Sequence, residues 1–301
     1  FFPWELPACQ LWGVMNGGED IVWSVQGRLV HLKPPLVMGI LNITPDSFVP
    51  STRADGLSDA LQRAANMLAD GADLLDVGGA STRPGAPEVP LEEERKRVIP
   101  VIEALHRQYP KALISVDTWR AAIAGEAVEA GAALVNDVSA GLFDPDMLPT
   151  LAQLQVPYIL MHMQGTPRTM QQAPHYKDVV AEVVKVLSSR LLAARQAGIA
   201  DVIVDPGFGF GKDLGHNFSL LQGLGALKQL GVPVLAGLSR KRMINELLGT
   251  SPEEALNGTT VLNTLALRQG ADLLRVHDVR AAVEAVKLTA AFTAAERAAQ
   301  R

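Results

Sequence analysis

Residues 112–137 read ALISVDTWRAAIAGEAVEAGAALVND, and this stretch decides the fold. A short apolar run, 112–116, stops at Asp117-Thr118. A stretch of helical period follows at 121–130, closed by Gly131-Ala132-Ala133. A second apolar run, 133–135, then stops at Asn136-Asp137. The runs are too short and too apolar for half-exposed strands, so they read as parallel strands buried on both faces. Glycine just past a helix supplies the left-handed position that ends it before the next strand.

The same unit recurs along the chain. Apolar runs lie at 36–41, 74–77, 112–116, 133–135, 158–161, 202–204, 234–236 and 273–276, eight in all. Helical periodicity is clearest at 60–68, 92–105, 121–130, 179–197 and 258–267. The punctuation repeats as Gly71-Ala72-Asp73, Gly198-Ile199 and Gly270-Ala271-Asp272. No linker or charge run divides the chain. Eight βα units in about 260 residues give an α/β fold, a single (β/α)₈ TIM barrel, with a doubly wound open sheet as the alternative. Residues 21–31 alternate (Ile21, Trp23, Val25, Leu29) around Gln26-Gly27 and read as an N-terminal hairpin closing the barrel bottom. The expected division is an extension over residues 1–20 and one barrel domain over 21–301.

Composition sets the outer bounds. The 301 residues carry 27 basic and 32 acidic side chains, a net charge of −5, with 48% apolar residues. That is a globular mixture, and its mild acidity argues against nucleic acid as a partner. The one cysteine, Cys9, excludes a disulfide framework and suits a reducing, cytoplasmic setting. No apolar run approaches the roughly 18 residues that span a bilayer. The first basic residue is Arg28, so the apolar start lacks the cationic region of a signal peptide.

In such a barrel, chemistry belongs in the loops beyond the C-terminal ends of the strands. Those ends carry Asn42, Thr82-Arg83, Asp117, Asn136-Asp137, His162, Asp205, Ser239-Arg240-Lys241 and Arg275-Val276-His277. Any single Asp or Asn there has an ordinary reading as a helix cap. Two groupings go beyond it. Arg83, Arg275 and His277, with Lys241 nearby, form a cationic set suited to phosphate or pyrophosphate. Asp117, Asn136 and Asp205 offer acceptors suited to a flat, donor-rich heterocycle such as a pterin. The segment Gly207-Phe208-Gly209-Phe210-Gly211-Lys212 lacks the spacing of a phosphate loop and reads as a flexible rim placing Phe208 and Phe210 near a ligand. His162, between Met161 and Met163, reads as a packed rim residue, and no Cys/His cluster suggests zinc.

Taken together, Met38 to Phe48, Asp76 to Gly85, Ser115-Val116-Asp117-Thr118, Asn136-Asp137-Val138-Ser139, Met161-His162-Met163, Asp205 to Lys212, Ser239-Arg240-Lys241 and Arg275-Val276-His277-Asp278 resemble dihydropteroate synthase. The resemblance implies condensation of 6-hydroxymethyl-7,8-dihydropterin pyrophosphate with 4-aminobenzoate, and a site that sulfonamides compete for. It implies pterin contacts at Asp117, Asn136, Met161, Asp205, Gly237, Lys241 and Arg275, with Asp205, Lys241 and Asp117 closest to the chemistry. It places pyrophosphate on Asn42, Thr82, Arg83, Arg275 and His277, and Mg²⁺ on Asn42, with Asp46 near. It places aminobenzoate on Thr82, Pro84, Phe210, Ser239 and Lys241. It further implies a homodimer through the outer helices and no membrane or nucleic-acid partner. Two departures stand out: Val49 to Gly56 differs from the family's usual loop, and Ala80 replaces the more common Glu. The nearest alternative is a pterin-dependent methyltransferase of the same barrel type, which has no need of a pyrophosphate site.

Overall fold

A computed structural model of the chain describes residues 20–43, 53–80, 88–166 and 169–299. An antiparallel hairpin comes first, β1 (Ile21–Val25) paired with β2 (Arg28–Leu32). Its two-residue turn has both φ angles positive, 49° at Gln26 and 77° at Gly27, which matches the twist of the strands it joins.

The eight apolar runs become eight parallel strands: β3 (Leu36–Asn42), β4 (Leu74–Gly78), β5 (Leu113–Asp117), β6 (Leu134–Asp137), β7 (Tyr158–Met161), β8 (Val202–Asp205), β9 (Leu235–Ala236) and β10 (Leu273–Val276). Their order is β8-β7-β6-β5-β4-β3-β10-β9. A parallel bridge between Val204 and Val234, with Val204 N–H donating to Pro233 O at 3.0 Å, joins the two ends. The sheet is therefore a closed barrel rather than an open doubly wound sheet.

Helices stand between the strands: α1 (Arg53–Ala69), α2 (Leu91–Gln108), α3 (Ala121–Glu129), α4 (Met147–Leu154), α5 (Val179–Ala197), α6 (Leu214–Gln222), α7 (Arg242–Leu248), α8 (Leu256–Arg268) and α9 (Val279–Ala299). Three of them, α4, α6 and α7, bury only two or three side chains each, too few to show a period in the sequence, whereas the equally short α3 buries five. None of the helices among the described residues is long and apolar enough to cross a membrane.

Alternation along the strands sorts side chains between two cores. Val37, Leu75, Ile114, Val135 and Val204 face outward and pack under the helices. Leu36, Met38, Leu74, Ile159, Ile203 and Leu273 face inward and fill the lower barrel. Several strands also extend one or two residues further than their apolar runs. Asp117, Asn136 and Asp205 remain within the ladder, paired with Gly78, Asp117 and Met161. Hydrophobicity ends before the backbone pairing does.

The foot of the barrel is held by carboxylates that follow the helix-ending glycines. Asp73 accepts from Val37 N at 2.8 Å, and Asp272 accepts from Val234 N at 2.8 Å. Asp201 accepts from Ser24 N at 2.7 Å, which ties the hairpin to the barrel, and Gln26 Nε2 donates to Val128 O at 2.9 Å. Trp23, 2% exposed, packs with the lower core and plugs this end. Truncating Trp23 to Ala should lower unfolding free energy by about 3–5 kcal/mol. Urea denaturation checks this, and a loss below about 1 kcal/mol would remove the hairpin from the core.

Candidate active site

The same alternation that builds the lower core brings polar side chains inward at the upper end. Asn42, Gly78, Asp117 and Asn136 pair in sequence across four strands and share one level. Met161 and Asp205 pair likewise, and Gly237 follows β9 on the inward parity. Alternation also separates the neighbours Asn136 and Asp137. Asp137 accepts from Ser139 N and Oγ, Gly141 N and the Tyr158 hydroxyl, all within 2.8 Å, and forms a buried knot between β6 and β7. Asn136 instead donates from Nδ2 to Asp76 at 3.1 Å.

Arg275 lies deeper than a rim cation. Its Nε donates to Asp76 Oδ2 at 2.6 Å and its Nη2 to Asp117 Oδ2 at 2.7 Å. Asp76 is fully buried, whereas the Asp117 side chain keeps 11% of its surface. Sequence reading places Asp76 only inside a matching segment and gives it no role. The signal available is a charged residue at an inward position of an otherwise apolar run, Leu74-Leu75-Asp76-Val77.

The segment after β8 is firmly tied. Asp205 accepts from Gly207 N at 2.7 Å. Gly207 has φ +68° and passes so close to the preceding loop that a Cβ would lie 1.9 Å from His162 O, so only glycine fits there. Lys212 Nζ contacts Gly207 O, Phe210 O and His162 Nδ1 at 2.9–3.0 Å, which uses its three N–H groups. Gln171 Nε2 caps Gly209 O at 2.7 Å and the Tyr176 hydroxyl caps Gly211 O at 2.8 Å. Phe208 is buried in the outer core, so it does not line the rim; Phe210 does, with Lys241 Nζ 4.2 Å from its ring centre. The expectation of a flexible rim that places both phenylalanines near a ligand is corrected accordingly: only Phe210 stands there. The expected packed histidine is found: His162 is buried against Lys212 and Tyr176.

The loops after β9 and β10 are joined twice. Ser239 Oγ lies 2.9 Å from His277 Nδ1 and accepts from His277 N at 3.1 Å. Arg240, held at φ +55°, makes a bidentate pair with Asp278 at 2.7 and 3.1 Å. These ties fix the base of Lys241, the residue that opens α7.

Burial dominates the electrostatics. It pushes the Asp117 carboxyl up to about 7 against the opposing pull of Arg275. It pushes Asp205 up as well, against its hydrogen bond from Gly207 and the nearby lysines. Burial brings Lys241 down to about 8, with Asp205 opposing, and Lys212 down to about 7. His162 falls to about 3 through burial and the Lys212 charge beside it.

Of the residues expected at the site, Asn42, Asp117, Asn136, Met161, Asp205, Phe210, Gly237, Ser239, Lys241 and His277 are carried at the upper end of the barrel by strands or the loops that follow them, and Arg275 reaches them with its side chain from a position level with Met38. Asp46, Thr82, Arg83 and Pro84 lie outside the described residues. Among the described residues no group of three or more His, Cys, Asp or Glu could hold a metal.

The mouth of the closed barrel gathers buried carboxylates, an amide and two cations, and comparison with known proteins gives the family. The family profile for pterin binding enzymes matches residues 38–277, and the chain belongs to that family. Within it the chain is a dihydropteroate synthase: it is 46% identical over 273 residues to the dihydropteroate synthase of Escherichia coli K12, covering 90% of this chain and 96% of that one. The Haemophilus influenzae enzyme of the same name is 44% identical over 263 residues, 87% and 95% of the two chains. The structure of the Xanthomonas albilineans dihydropteroate synthase with 4-aminobenzoic acid superposes with a TM-score of 0.84 at 48% identity, covering 91% of this chain and 98% of that one. Another, of the same enzyme in complex with 7,8-dihydropteroate, gives 0.79 at 44% identity, covering 90% and 98%.

The perturbed groups set a pH window. Asp117 takes up a proton as pH falls through about 7, and Lys241 loses one as pH rises through about 8. The carboxylate and the ammonium therefore coexist between those values, and kcat/KM should be bell-shaped with limbs near them. Lys241→Arg, always charged, should abolish the alkaline limb, and Asp117→Asn the acid one. A profile flat from pH 6 to 9 in the unaltered enzyme would contradict this electrostatic reading.

Proposed function

We propose that the chain condenses 6-hydroxymethyl-7,8-dihydropterin pyrophosphate with 4-aminobenzoate, forming 7,8-dihydropteroate and pyrophosphate. The observation that carries this reading is the inward gathering of Asp117, Asn136, Asp205, Lys241 and Arg275 at one end of a barrel plugged at the other. A pterin presents ring N–H and amino donors along one edge and acceptors along another. Asp117, Asn136 and Asp205 match the donors, and Lys241 matches the acceptors. Met161 and Gly237 supply apolar and open wall beside the ring. Arg275 covers the ring plane and, with Asn42, Thr82, Arg83 and His277, receives the pyrophosphate.

The reaction is a substitution at the methylene carbon. The C–O bond breaks with its electron pair leaving on pyrophosphate, and the cation left behind is delocalised into the ring. Arg275 and His277 stabilise the charge developing on the leaving group, while Asp117 and Asp205 favour the electron-poor pterin. The aminobenzoate nitrogen then forms the C–N bond and releases its proton. Phe210, Ser239 and Lys241, with Thr82 and Pro84, surround that second substrate, and sulfonamides compete for the same place.

Mg²⁺ fits as an ion carried with pyrophosphate rather than a resident one. Asn42 offers a single amide oxygen, which stands beside Asp117 where the two flank Gly78, and the family resemblance adds Asp46, which lies outside the described residues. Magnesium accepts such thin protein ligation when phosphate oxygens complete its shell, and there it would neutralise leaving-group charge.

The enzyme acts in the cytoplasm as a homodimer. On α9, Val286 is buried while Leu288 and Phe292 are exposed, and Val261 and Leu265 of the adjoining α8 are exposed with them. These exposed apolar side chains on two packed helices are the surface for a second copy. Light scattering should give twice the chain mass, and Leu288→Glu should reduce it to one chain; a monomeric unaltered protein removes the proposal.

Incubation with both substrates and Mg²⁺ should release pyrophosphate in step with pteroate formation. Asp205→Asn or Lys241→Ala should lower turnover by orders of magnitude with the fold intact by circular dichroism. Near-normal turnover in both variants would overturn these roles, and a lack of pyrophosphate release by the unaltered enzyme would overturn the reaction.

A further inference from the structure

We propose that Asp76, a residue with no place in the binding shell set out above, is a positioning residue: it fixes the polarity of Asn136 and keeps Arg275 seated when a pterin takes Asp117 away from it. The inference rests on the pterin reading under Proposed function.

The geometry is that of a support beneath a site. Asp76 pairs with Ser115 in the ladder, while Asp117, two residues on, pairs with Gly78. Asp76 therefore stands one inward layer below Asp117, and it is fully buried where Asp117 is partly open. A ligand entering the mouth reaches Asp117 and does not reach Asp76. Arg275 starts lower still. Its backbone pairs with Met38, which pairs with Leu74, so its side chain climbs past Asp76 before arriving at Asp117. On that path Nε meets Asp76 first, at 2.6 Å, and Nη2 meets Asp117 beyond it, at 2.7 Å.

These two bonds have different fates. Asp117 is the acceptor that pterin donors compete for, so its bond to Nη2 is exchanged when the ring binds. The Nε bond to Asp76 is out of the ligand's reach. It acts as a pivot: the guanidinium is freed at one edge to cover the ring and meet the pyrophosphate, while its stem stays in register. Without Asp76, release from Asp117 would leave a buried cation with no fixed partner.

Asp76 also sets Asn136. A carboxylate only accepts, so the amide that meets Asp76 Oδ2 at 3.1 Å must present its NH₂ group downward. Asn136 Oδ1 is then turned away from Asp76 toward the ring donors. Asp76 Oδ1 has no hydrogen-bond partner among the described residues. Its other oxygen serves two residues that face the substrate.

A double-mutant cycle on kcat/KM for the pterin substrate tests the idea. Asp76→Asn should lower it at least tenfold in the unaltered background, with KM for aminobenzoate changed less than twofold. In an Arg275→Ala background the same substitution should cost at least threefold less, the remaining loss being the part exerted through Asn136. Equal losses in both backgrounds, or no loss from Asp76→Asn, overturn the proposal. A second measurement needs no folded variant of Asp76. In ¹⁵N-labelled unaltered enzyme, the Arg275 Nε–H resonance, assigned by its loss in Arg275→Lys, should resist solvent exchange and keep that protection when a pterin is added. Loss of protection on pterin addition overturns the pivot. Absence of pyrophosphate release from the unaltered enzyme counts against the reaction, and the resonance still decides the pivot with a pterin alone.

Discussion

A guanidinium in the middle of a barrel is the constraint around which this structure is arranged. Arg275 brings a full positive charge among aliphatic side chains, and burial of that kind is tolerated only where carboxylates meet it. Asp76 and Asp117 do so from β4 and β5, which lie 199 and 158 residues away in the chain. The charge cannot be matched locally. It is matched only when the last strand has closed against the first and the ring is complete, so the site exists only as a property of the finished barrel. Asn136, held by the same Asp76 carboxylate, belongs to that one network.

Much of the architecture is legible in the sequence because it follows from period and punctuation. Eight apolar runs, the glycines that end helices and the alternating hairpin all reappear where the residues put them. The short helices α4, α6 and α7 do not, since each buries only two or three side chains, whereas α3, no longer than α6, buries five and is legible. The strand ends also mark Asp117, Asn136, Asp205, Lys241 and Arg275. Their detailed roles come from the family resemblance rather than from spacing. Asp76 escapes both readings: a single charge within an apolar run looks like part of a strand, and only its inward parity separates it from a surface residue.

Phe208 and Phe210 show a different limit. They are two residues apart in a glycine-rich segment, and composition treats them alike. The backbone path separates them, because the left-handed turn at Gly207 sends Phe208 into the outer core and leaves Phe210 under Lys241. Glycine content suggests a flexible loop, yet carbonyls along the segment are capped by Lys212, Gln171 and Tyr176. The glycines serve close approach here and the hydrogen bonds supply rigidity. The wall against which Lys241 rests is therefore tied by hydrogen bonds along its length.

The neighbours Asn136 and Asp137 put a limit on how this chain can change length. One faces the interior and the other a saturated knot on the outside, and a strand's faces interchange with every single-residue slip. Losing one residue in the turn 131–133 would bring Asp137 into the inward place of Asn136, a carboxylate beside Asp76, whereas gaining one would bring Asn136 into the place of Asp137, an amide among donors that require a charge. Insertions and deletions are thus excluded at the foot of each strand by the chemistry at its head, so variation in length falls to the loops beyond the strand ends.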